Sequence, residues 1–580
     1  MKLSNLINTL LIGMLLFAGQ VSAELVPEKD WEKYTVRKIS VKIKDVFEGE
    51  NLSSVYQTAN QLKVNTREDI VSRELVIKSG DKLTPFAVKE SLRNLRSIKF
   101  IRMPALKVSK VDDQYVDVLL EVQDTWTLIP QFSYSSGGGR TNQSMGIQDS
   151  NLLGFGQRLE VLSTQQDQKS ATEMVWDYRR VMGTPNHFLA GIFDRDDGDR
   201  YTAVFDRPFR TLLDRYSFEF NVDTSDQLGE LYEASDEDFV YRKKSVLLGA
   251  KYIFATGNPE KLTRRFSLGF DFNQDIFSEA TQEDIDILDL DHPEDLNQDP
   301  DRLAQDRRFY GPIFEYQYIK PDYAPRNYID RFDRPEDYNL GRQFFSRFQF
   351  ASEVFESDSN TLSMAFNTRK GYEIDKSSFW RYDLSTVSRY EPDGFSNSLF
   401  SASARYYNTL GIVRIRGLSL GRHTLVASVH SDYGQDLDLD RQLLAGADNA
   451  VRGYKSRTFT GDKRFIVNLE DRIHLAEDVY KLVSFGAAFF VDVGGATYDS
   501  MGDLLSNELY GNVGTGLRVA FPRSSGSRVL RFDIAVPFRD GPDGSESGEL
   551  RFLIAGGQLF DSFFPGERVG SDNTAVDFGF

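Results

Sequence analysis

Between Trp126 and Phe560 the sequence repeats segments of about ten residues in which apolar and polar residues alternate. In RFSLGFDFNQD, which begins at Arg265, the aromatic and leucine side chains fall on one face and the polar side chains on the other. Such alternation predicts β-strands. Strands of about 9 to 11 residues with an apolar outer and a polar inner face are what a membrane-spanning barrel requires. We therefore predict a mainly β chain with a transmembrane antiparallel β-barrel over residues 126–560.

The spacers between these segments are uneven in length, which argues against the alternative of a soluble secreted sandwich or propeller. The spacer from Glu279 to Asp301 carries ten acidic residues and no lysine or arginine. A surface loop explains this composition. The alternative is a calcium site, but Asp284, Asp286 and Asp289 lack the spacing and the glycine of an EF-hand, so no metal is expected.

The number of strands is less clear from the pattern. We find about nineteen candidate strands, although a barrel with both ends on the same side of the membrane needs an even number. The segments 170–206 and 340–410 are the least regular.

The first 23 residues have the pattern of a secretory signal peptide. Lys2 precedes an apolar run from Leu10 to Phe17, and Val21-Ser22-Ala23 is a small-residue cleavage site. The alternative is an uncleaved membrane anchor, for which the apolar run is short. We expect residues 1–23 to be removed and the chain to be exported. It contains no cysteine, which excludes disulfides, Cys-ligated metals and lipid attachment to a cysteine after the cleavage site.

Residues 35–124 have a different pattern, which predicts a small α+β domain. An alternating strand over residues 36–47 is followed by two short helices, the first opened by a Thr66 capping box and the second by Thr84-Pro85. Two further alternating strands cover residues 105–111 and 114–122. The predicted order is β-α-α-β-β.

Composition and motifs exclude several functions. A net charge of −18 argues against a general binder of nucleic acid or anionic lipid. The chain has neither an HExxH nor a phosphate-loop motif. The stretch Gly417–Gly421 matches G-x-S-x-G, but a nucleophile elbow needs a helix after the serine, and here an alternating segment follows. We therefore expect no enzyme activity, no catalytic residues and no cofactor.

The stretch VRGY, residues Val451 to Tyr454, breaks the alternation between two candidate strands. An arginine enclosed in a barrel needs carboxylate partners, and its forked guanidinium can contact one of them through two hydrogen bonds. Gly453 permits a tight backbone next to the wall, and Tyr454 adds a flat ring and a hydroxyl. The alternative is a solvated hairpin loop.

Two parts of the chain resemble known families, and the second resemblance supports the enclosed-loop interpretation. Residues 35–124 resemble a POTRA domain, although the insert from Glu48 to Asn65 is long for one; a structural or peptidoglycan-facing module is the alternative. Downstream, the chain resembles the BamA/TamA superfamily, also called the bacterial surface antigen family. The motifs that carry this resemblance, in order, are LAGADNAVRGY (444–454), SFGAAFFVDVGG (484–495), NVGTGLRVAFP (512–522), VLRFDIAVPF (529–538) and LRFLIAGGQLF (550–560).

This resemblance implies sixteen strands and a VRGY loop folded back into the barrel. It implies that Arg452 pairs with Asp492, which lies in the strand motif from Phe490 to Gly494. Glu470 and Asp471, on the strand after the loop, are secondary candidates. The segment 561–580 is interpreted as a C-terminal tail; the alternative is that the last strand lies within it.

The resemblance also implies a function at the bacterial outer membrane. We expect a barrel in the lipid bilayer, a POTRA-like domain in the periplasm, and insertion, assembly or translocation of proteins. The expected partner is an unfolded or extended client polypeptide, and periplasmic accessory proteins are further candidates. Two alternatives stay open: a two-partner secretion-type polypeptide transporter, and a passive channel or surface receptor.

Overall fold

A computed structural model describes residues 24–556, except 50–51, 138–139, 167–168, 289, 291–292, 298, 333, 448, 450 and 526–528. The predicted signal peptide at residues 1–23 and the predicted tail at 561–580 lie outside the described residues, as does the end of the predicted last strand from residue 557.

Residues 24–124 form the N-terminal domain, a three-stranded sheet with three helices. The central strand pairs in parallel with the first strand and antiparallel with the second. Its alternate valine and leucine side chains are buried against the helices. The strands are β1 (Thr35–Lys44), β2 (Ile101–Lys110) and β3 (Tyr115–Asp124), and the helices are α1 (Ser54–Leu62), α2 (Glu68–Ser72) and α3 (Pro85–Arg96).

This domain has one predicted helix cap and differs from the prediction in two features. The long insert contains the additional helix α1, so the order is β-α-α-α-β-β. Helix α3 has the predicted cap, because Thr84 Oγ1 accepts a hydrogen bond from Ala87 N at 3.2 Å. The predicted Thr66 capping box is wrong: Thr66 instead donates from Oγ1 to Asp124 Oδ1 at 2.6 Å. The buried Asp124 carboxylate competes for this hydroxyl and also accepts from Thr66 N.

From Leu128 to Gly556, the described residues include one large antiparallel sheet of twenty strands that follow one another in chain order. The last of these strands lies beside the first, so the sheet closes into a barrel. The prediction of a mainly β chain with a large antiparallel sheet is confirmed. The twenty strands are β4 (Leu128–Gly137), β5 (Arg140–Asp149), β6 (Gln157–Gln166), β7 (Lys169–Tyr178), β8 (His187–Arg195), β9 (Gly198–Asp206), β10 (Tyr216–Glu233), β11 (Asp236–Asn258), β12 (Leu262–Glu279), β13 (Arg307–Ile319), β16 (Gln343–Ala351), β17 (Thr361–Glu373), β18 (Ser378–Glu391), β19 (Gly394–Ile415), β20 (Leu418–Gln435), β23 (Lys463–Val479), β24 (Val483–Thr497), β25 (Tyr510–Ala520), β26 (Val529–Pro537) and β27 (Arg551–Gly556).

The expectation of sixteen strands is therefore wrong for the described part of the chain. The irregular segments 170–206 and 340–410 do form strands, each paired with its neighbours over most of its length. Backbone hydrogen bonding defines these strands even where side-chain alternation is weak, and the family resemblance carries no information on added hairpins. The seam between the last and the first of these strands is formed by β27 beside β4.

Both ends of the barrel carry loops with structure of their own. We call the end next to the N-terminal domain the domain end and the other the far end. A loop at the domain end contains the hairpin β14 (Tyr323–Arg326) and β15 (Glu336–Asn339), and a loop at the far end contains the hairpin β21 (Leu443–Ala445) and β22 (Phe459–Gly461). Two helices lie in other far-end loops: α4 (Gln282–Leu288) and α5 (Met501–Asn507). Short 3₁₀ segments cover Glu28–Lys33, Leu152–Gly154, Val181–Gly183, Pro293–Asp295, Pro300–Arg302 and Glu353–Phe355.

The acidic spacer that contains α4 is held by contacts with protein groups. Asp284 Oδ2 accepts from Thr281 N and Oγ1, each at 2.8 Å, and Asp284 Oδ1 pairs with Arg242 at 2.7 Å.

Within the described residues, no helix combines the length and apolar character needed to cross a membrane.

Candidate functional site

The far-end loop between β20 and β23, residues 436–462, folds back into the barrel. We call it the VRGY loop. Its predicted motif residues are enclosed: Val451 and Tyr454 are 0% exposed and Arg452 is 1% exposed. These side chains pack with Ala445 and Phe459 of the loop hairpin. A solvated hairpin would leave them accessible, so the burial contradicts that alternative.

Arg452 makes a two-pronged contact with Asp492 of β24. Its Nε donates to Asp492 Oδ2 and its Nη2 donates to Oδ1, each at 2.8 Å. The guanidinium carbon lies 3.3 Å from the centre of the Phe490 ring, so the cation stacks on an aromatic face. Asn468 holds the carboxylate from the other side, because its Nδ2 donates to Asp492 Oδ1 at 2.8 Å. These contacts fix both the direction of the Arg452 side chain and the plane of its guanidinium group.

Two further carboxylates surround the same guanidinium. Arg452 Nη1 donates to Glu470 Oε2 at 3.0 Å and lies 3.5 Å from Asp533 Oδ2. Burial opposes the charge of Arg452, but Asp492 and then Glu470 and Asp533 outweigh it and raise the pKa of the guanidinium. Arg518 of β25 also pairs with Asp533, so a second arginine compensates the negative charge of the carboxylates.

Glycine is required at two positions of close approach. A Cβ on Gly453 would stand 2.6 Å from the Asn512 Cβ. The Asn512 amide is oriented so that its oxygen accepts from Arg452 N and Gly453 N, each at 3.2 Å. On the facing wall, a Cβ on Gly494 would stand 2.9 Å from Phe465 O and 3.2 Å from Val451 Cγ2. Larger side chains would therefore push the loop away from the wall.

Tyr454 anchors the other side of the motif. Its hydroxyl lies 3.0 Å from Arg539 O and 3.3 Å from Gly511 O, both acceptors. Its ring meets those of Phe459 and Tyr510 edge-on, at centroid distances of 5.2 and 5.5 Å. Burial raises the pKa of Tyr454 to about 12, so the hydroxyl remains a donor at neutral pH.

The structure brings most of the predicted site residues together. Phe490, Asp492 and Gly494 lie at alternate positions of β24 and face the interior, as a period of two requires. Glu470 faces the interior from β23. Its neighbour Asp471 faces the other way and pairs with His423 at 2.8 Å, so the structure separates Asp471 from the site.

Several residues of the site were not predicted from the sequence. They all occupy inward positions of β23, β25 and β26. The signal for the four residues on β25 and β26 was present in the strand motifs NVGTGLRVAFP and VLRFDIAVPF, which were used only as family markers. The missed residues are Asn468, Arg472, Asn512, Arg518, Arg531 and Asp533.

A second loop enters the barrel from the domain end. This inner loop, residues 320–342, connects β13 and β16. Arg472 of β23 binds it: Nη1 donates to Asp330 Oδ1 and to Ile329 O, each at 2.8 Å. The same guanidinium donates from Nε to Glu470 Oε1 at 2.9 Å. Phe332 adds an edge-on contact with the His474 ring at 4.5 Å.

The inner loop packs against the barrel wall and carries a buried carboxyl group whose pKa is raised. Its Ile329, Tyr338 and Leu340 form a buried cluster with three residues of the wall, Phe379, Tyr407 and Val426. The Tyr338 hydroxyl lies 2.9 Å from Asp330 Oδ2 and 3.2 Å from Glu336 Oε2. Burial, and then the charge of Asp330, raise the pKa of Glu336 to about 8.

The N-terminal domain docks against this end of the barrel. Arg96 of α3 forms two hydrogen bonds with Asp337 of the inner loop, each at 2.6 Å. Glu74 pairs with Arg180 at 2.6 Å and with Arg179 at 3.2 Å, both in the turn after β7. Burial opposes ionisation of Glu74, but the two arginines outweigh it and lower the pKa to about 2.

Comparisons with known proteins identify a family and several similar proteins. The Omp85 superfamily domain matches residues 151–560. A putative outer membrane protein assembly factor of Treponema pallidum (strain Nichols) is 26% identical over 129 residues, which cover 21% of this chain and 15% of that protein. The chain thus matches well under two thirds of that relative.

Solved structures also resemble the chain at low identity. BamA from Haemophilus ducreyi lacking POTRA domains 1–3 is 14% identical with a TM-score of 0.38, over 90% of this chain and 84% of that one. CdiB from Acinetobacter baumannii is 12% identical with a TM-score of 0.43, over 94% of this chain and 79% of that one. The superfamily match covers most of the chain and confirms the resemblance inferred from its motifs; the chain belongs to the Omp85 superfamily.

Proposed function

We propose that this chain is an outer-membrane barrel protein that inserts or assembles other barrel proteins, without catalysing a chemical reaction. In this proposal the barrel spans the lipid bilayer, and the N-terminal domain is a POTRA-like module in the periplasm that receives an extended client polypeptide. Family membership supports a general role in protein assembly or translocation at the outer membrane. The enclosed Arg452 and the order of the barrel strands favour assembly over the alternatives.

The observation that carries the proposal is the enclosed Arg452, held by Asp492, together with the chain topology. The contacts of Arg452 join β23, β24 and β26, so the wall that leads up to β27 is tied to the VRGY loop. Among the neighbouring barrel strands that the structure describes, β27 and β4 alone have no connecting hairpin or loop between them, since they are the last and first strands of the described sheet. This seam can open without unfolding a connection, and its free edges offer backbone hydrogen bonds to a client strand.

The N-terminal domain offers a place to receive such a strand. Residues 24–26 already pair with the outer edge of β2, because Val26 N donates to Val108 O and Lys110 N donates to Glu24 O, each at 2.9 Å. Along β1, the described residues form no pairing at the outer edge between Lys38 and Lys44. We propose that an extended client adds to this edge of β1 by backbone hydrogen bonding, which demands little of its sequence.

Quantitative proteomics of a deletion strain tests the function. Loss of several unrelated barrel proteins from the outer membrane is expected. Unchanged membrane barrels would reject assembly. A single protein missing from the culture supernatant would then indicate a dedicated secretion transporter, and no change in either fraction would indicate a passive channel or receptor.

Site-specific photocrosslinking tests the receiving edge. Photoreactive residues at Lys38 and Lys42, both exposed on β1, should crosslink to newly exported barrel proteins. The same residue at Lys89, exposed on α3, is the matched control and should not. Equal crosslinking at all three positions would reject the edge of β1 as the receiving site.

A further inference from the structure

Three basic side chains form a row on the outer surface of the barrel at its domain end. Lys320 follows β13, Arg342 precedes β16, and Lys370 lies on β17. The registers place Ile319 opposite Gln343, and Gln343 opposite Arg369. Continuing each register by one residue places Lys320 beside Arg342 and Arg342 beside Lys370. The backbone agrees, since Lys320 N donates to Arg342 O at 2.9 Å.

This row borders a recess of about 450 Å³. Two tyrosines, Tyr318 and Tyr372, line it together with the three basic residues. Lys370 Nζ lies 4.0 Å from the centre of the Tyr372 ring. The remaining lining comes from the ends of the inner loop and of β17: Asp322, Leu340, Gly341, Gly371 and Glu373.

Like charges side by side on a sheet destabilise it, so this row needs a compensating anion. Within the part of the chain that the structure describes, no ion pair involves Lys320, Arg342 or Lys370. Glu373, which lines the same recess, is paired with Arg326 at 2.8 Å. The positive charge therefore faces outward without a carboxylate partner, on a chain whose net charge is strongly negative.

The position of the row indicates the source of the anion. On β17, outward-facing Leu362, Met364 and Phe366 lead through Thr368 to Lys370 and Tyr372. Tyr372 stacks on Trp380 of β18 at a centroid distance of 4.9 Å. Aromatic side chains of this kind mark the boundary between hydrocarbon and headgroups on membrane barrels. The row lies at this boundary, where the hydrocarbon-facing surface ends.

We propose that Lys320, Arg342 and Lys370 bind the phosphate of a phospholipid headgroup, with Tyr318 and Tyr372 against the glycerol and upper acyl chains. The site belongs to the leaflet on the side of the N-terminal domain. This inference rests on the proposed function, because that function places these strands across a bilayer. A bound lipid would also hold Leu340 and Gly341, and with them the base of the inner loop. The preference for an anionic lipid is local and does not depend on net charge.

Native mass spectrometry of the full chain in neutral detergent, titrated with phosphatidylglycerol, tests the site. The variant Lys320→Gln/Arg342→Gln/Lys370→Gln should bind the first lipid on the order of 100-fold more weakly, since each basic residue near a membrane surface contributes about fivefold. The matched control Lys261→Gln/Arg414→Gln/Arg416→Gln removes three exposed basic residues at the same end of the barrel and should bind as wild type. Arg342→Lys, which keeps the charge, should retain most of the binding.

Equal binding by the two triple variants and the wild type would overturn the proposal, as would equal loss in both variants, which would show general surface charge. Inorganic phosphate is the second probe: if it displaces the lipid at millimolar concentration, the site is a free-anion site and the lipid assignment is wrong. Heat-resistant migration of each variant shows that its barrel is folded. Failure of the wild type to insert into bilayers would reject the membrane-spanning function itself and is a separate outcome.

Discussion

Arg452 and Arg472 share one carboxylate, that of Glu470. Arg452 approaches Glu470 Oε2 from the far-end loop at 3.0 Å, and Arg472 approaches Oε1 at 2.9 Å while also binding the inner loop. Loops from opposite ends of the barrel are therefore linked through two side chains of β23, Glu470 and Arg472. Through Asp337 of the inner loop and Arg96, the same set of contacts reaches the N-terminal domain.

Removal of Arg452 should destabilise the barrel strongly. Arg452→Ala leaves Asp492 and Glu470 enclosed with less compensating charge, and breaking a buried pair in this way costs about 3–5 kcal/mol. Arg452→Lys keeps the charge but cannot form the two-pronged contact, so its loss should be intermediate. The free energy of unfolding in urea, followed by heat-resistant migration, measures both.

The exposed Arg414, at the domain end of β19, provides the control for these variants. Arg414→Ala removes the same chemical group from the surface and should change the free energy of unfolding by no more than about 0.5 kcal/mol. If Arg452→Ala is as stable as Arg414→Ala and equally active, the enclosed arginine does not hold the VRGY loop.

Gly453 should not tolerate even a methyl group. A Cβ there would stand 2.6 Å from the Asn512 Cβ, and such overpacking costs about 1–3 kcal/mol. Gly453→Ala should lower the urea midpoint and make the loop accessible to protease. Gly502→Ala, in α5, is the control because its Cβ would meet only Ser500 Oγ at 3.5 Å. Equal midpoints for the two variants would show that the loop can move to accept the methyl group.

The parts of this site that could be predicted from sequence are those where the alternation of residues along a strand determines which face each side chain occupies. Alternation on β24 places Phe490, Asp492 and Gly494 on one face, and an arginine enclosed in a barrel needs a nearby carboxylate. The family resemblance supplied the pairing of Arg452 with Asp492, which spacing alone does not give.

The inner loop could not be predicted in the same way. Residues 320–342 are rich in proline, aspartate and arginine, as surface turns are, and only tertiary contacts place Ile329 and Phe332 inside the barrel. The number of strands was missed for a related reason. Each added hairpin satisfies its own backbone hydrogen bonds, so no local signal limits how many hairpins a barrel contains.

The inner loop should release from the barrel as the pH rises. The pKa of Glu336 is about 8 in the folded protein, whereas an exposed carboxyl has an ordinary value of 4.5. The docked loop thus retains a proton that the released loop loses. Its stabilising contribution is complete below about pH 4.5 and is lost as the pH rises through 8. Tryptic cleavage after Arg331 should increase between pH 6 and pH 9.

Glu336→Gln is the reference for this measurement because it removes the ionisation and keeps the shape. The ratio of wild-type to Glu336→Gln cleavage at each pH cancels the pH dependence of trypsin. This ratio should rise through pH 8; a constant ratio would mean that Glu336 does not control docking of the loop.

Docking of the N-terminal domain should depend on Glu74. Its pKa of about 2 lies below the ordinary value of 4.5, so its stabilising contribution is present above pH 4.5 and is lost as the pH falls toward 2. Glu74→Gln should loosen the domain at neutral pH because Arg179 and Arg180 lose their carboxylate. Since the chain has no native cysteine, spin labels on cysteines introduced at Lys89 and Lys261 can report the distance distribution by pulsed electron resonance.

A single narrow distribution is expected for the wild type at pH 7, with broadening in Glu74→Gln and in the wild type at pH 3. Glu68→Gln, at an exposed position of α2, should keep the narrow distribution. A narrow distribution in Glu74→Gln would mean that the other contacts of the domain suffice for docking.

The shared carboxylate predicts that the two loops are energetically coupled. In a double-mutant cycle of Arg452→Ala and Arg472→Ala, each single change leaves Glu470 with one arginine, and the double change removes both. The two effects on the free energy of unfolding should therefore deviate from additivity by about 0.5–3 kcal/mol. Pairing Arg452→Ala with Arg96→Ala, which is not in contact with it, should give additivity within about 0.5 kcal/mol. Additivity in both cycles would show that the VRGY loop and the inner loop are stabilised independently.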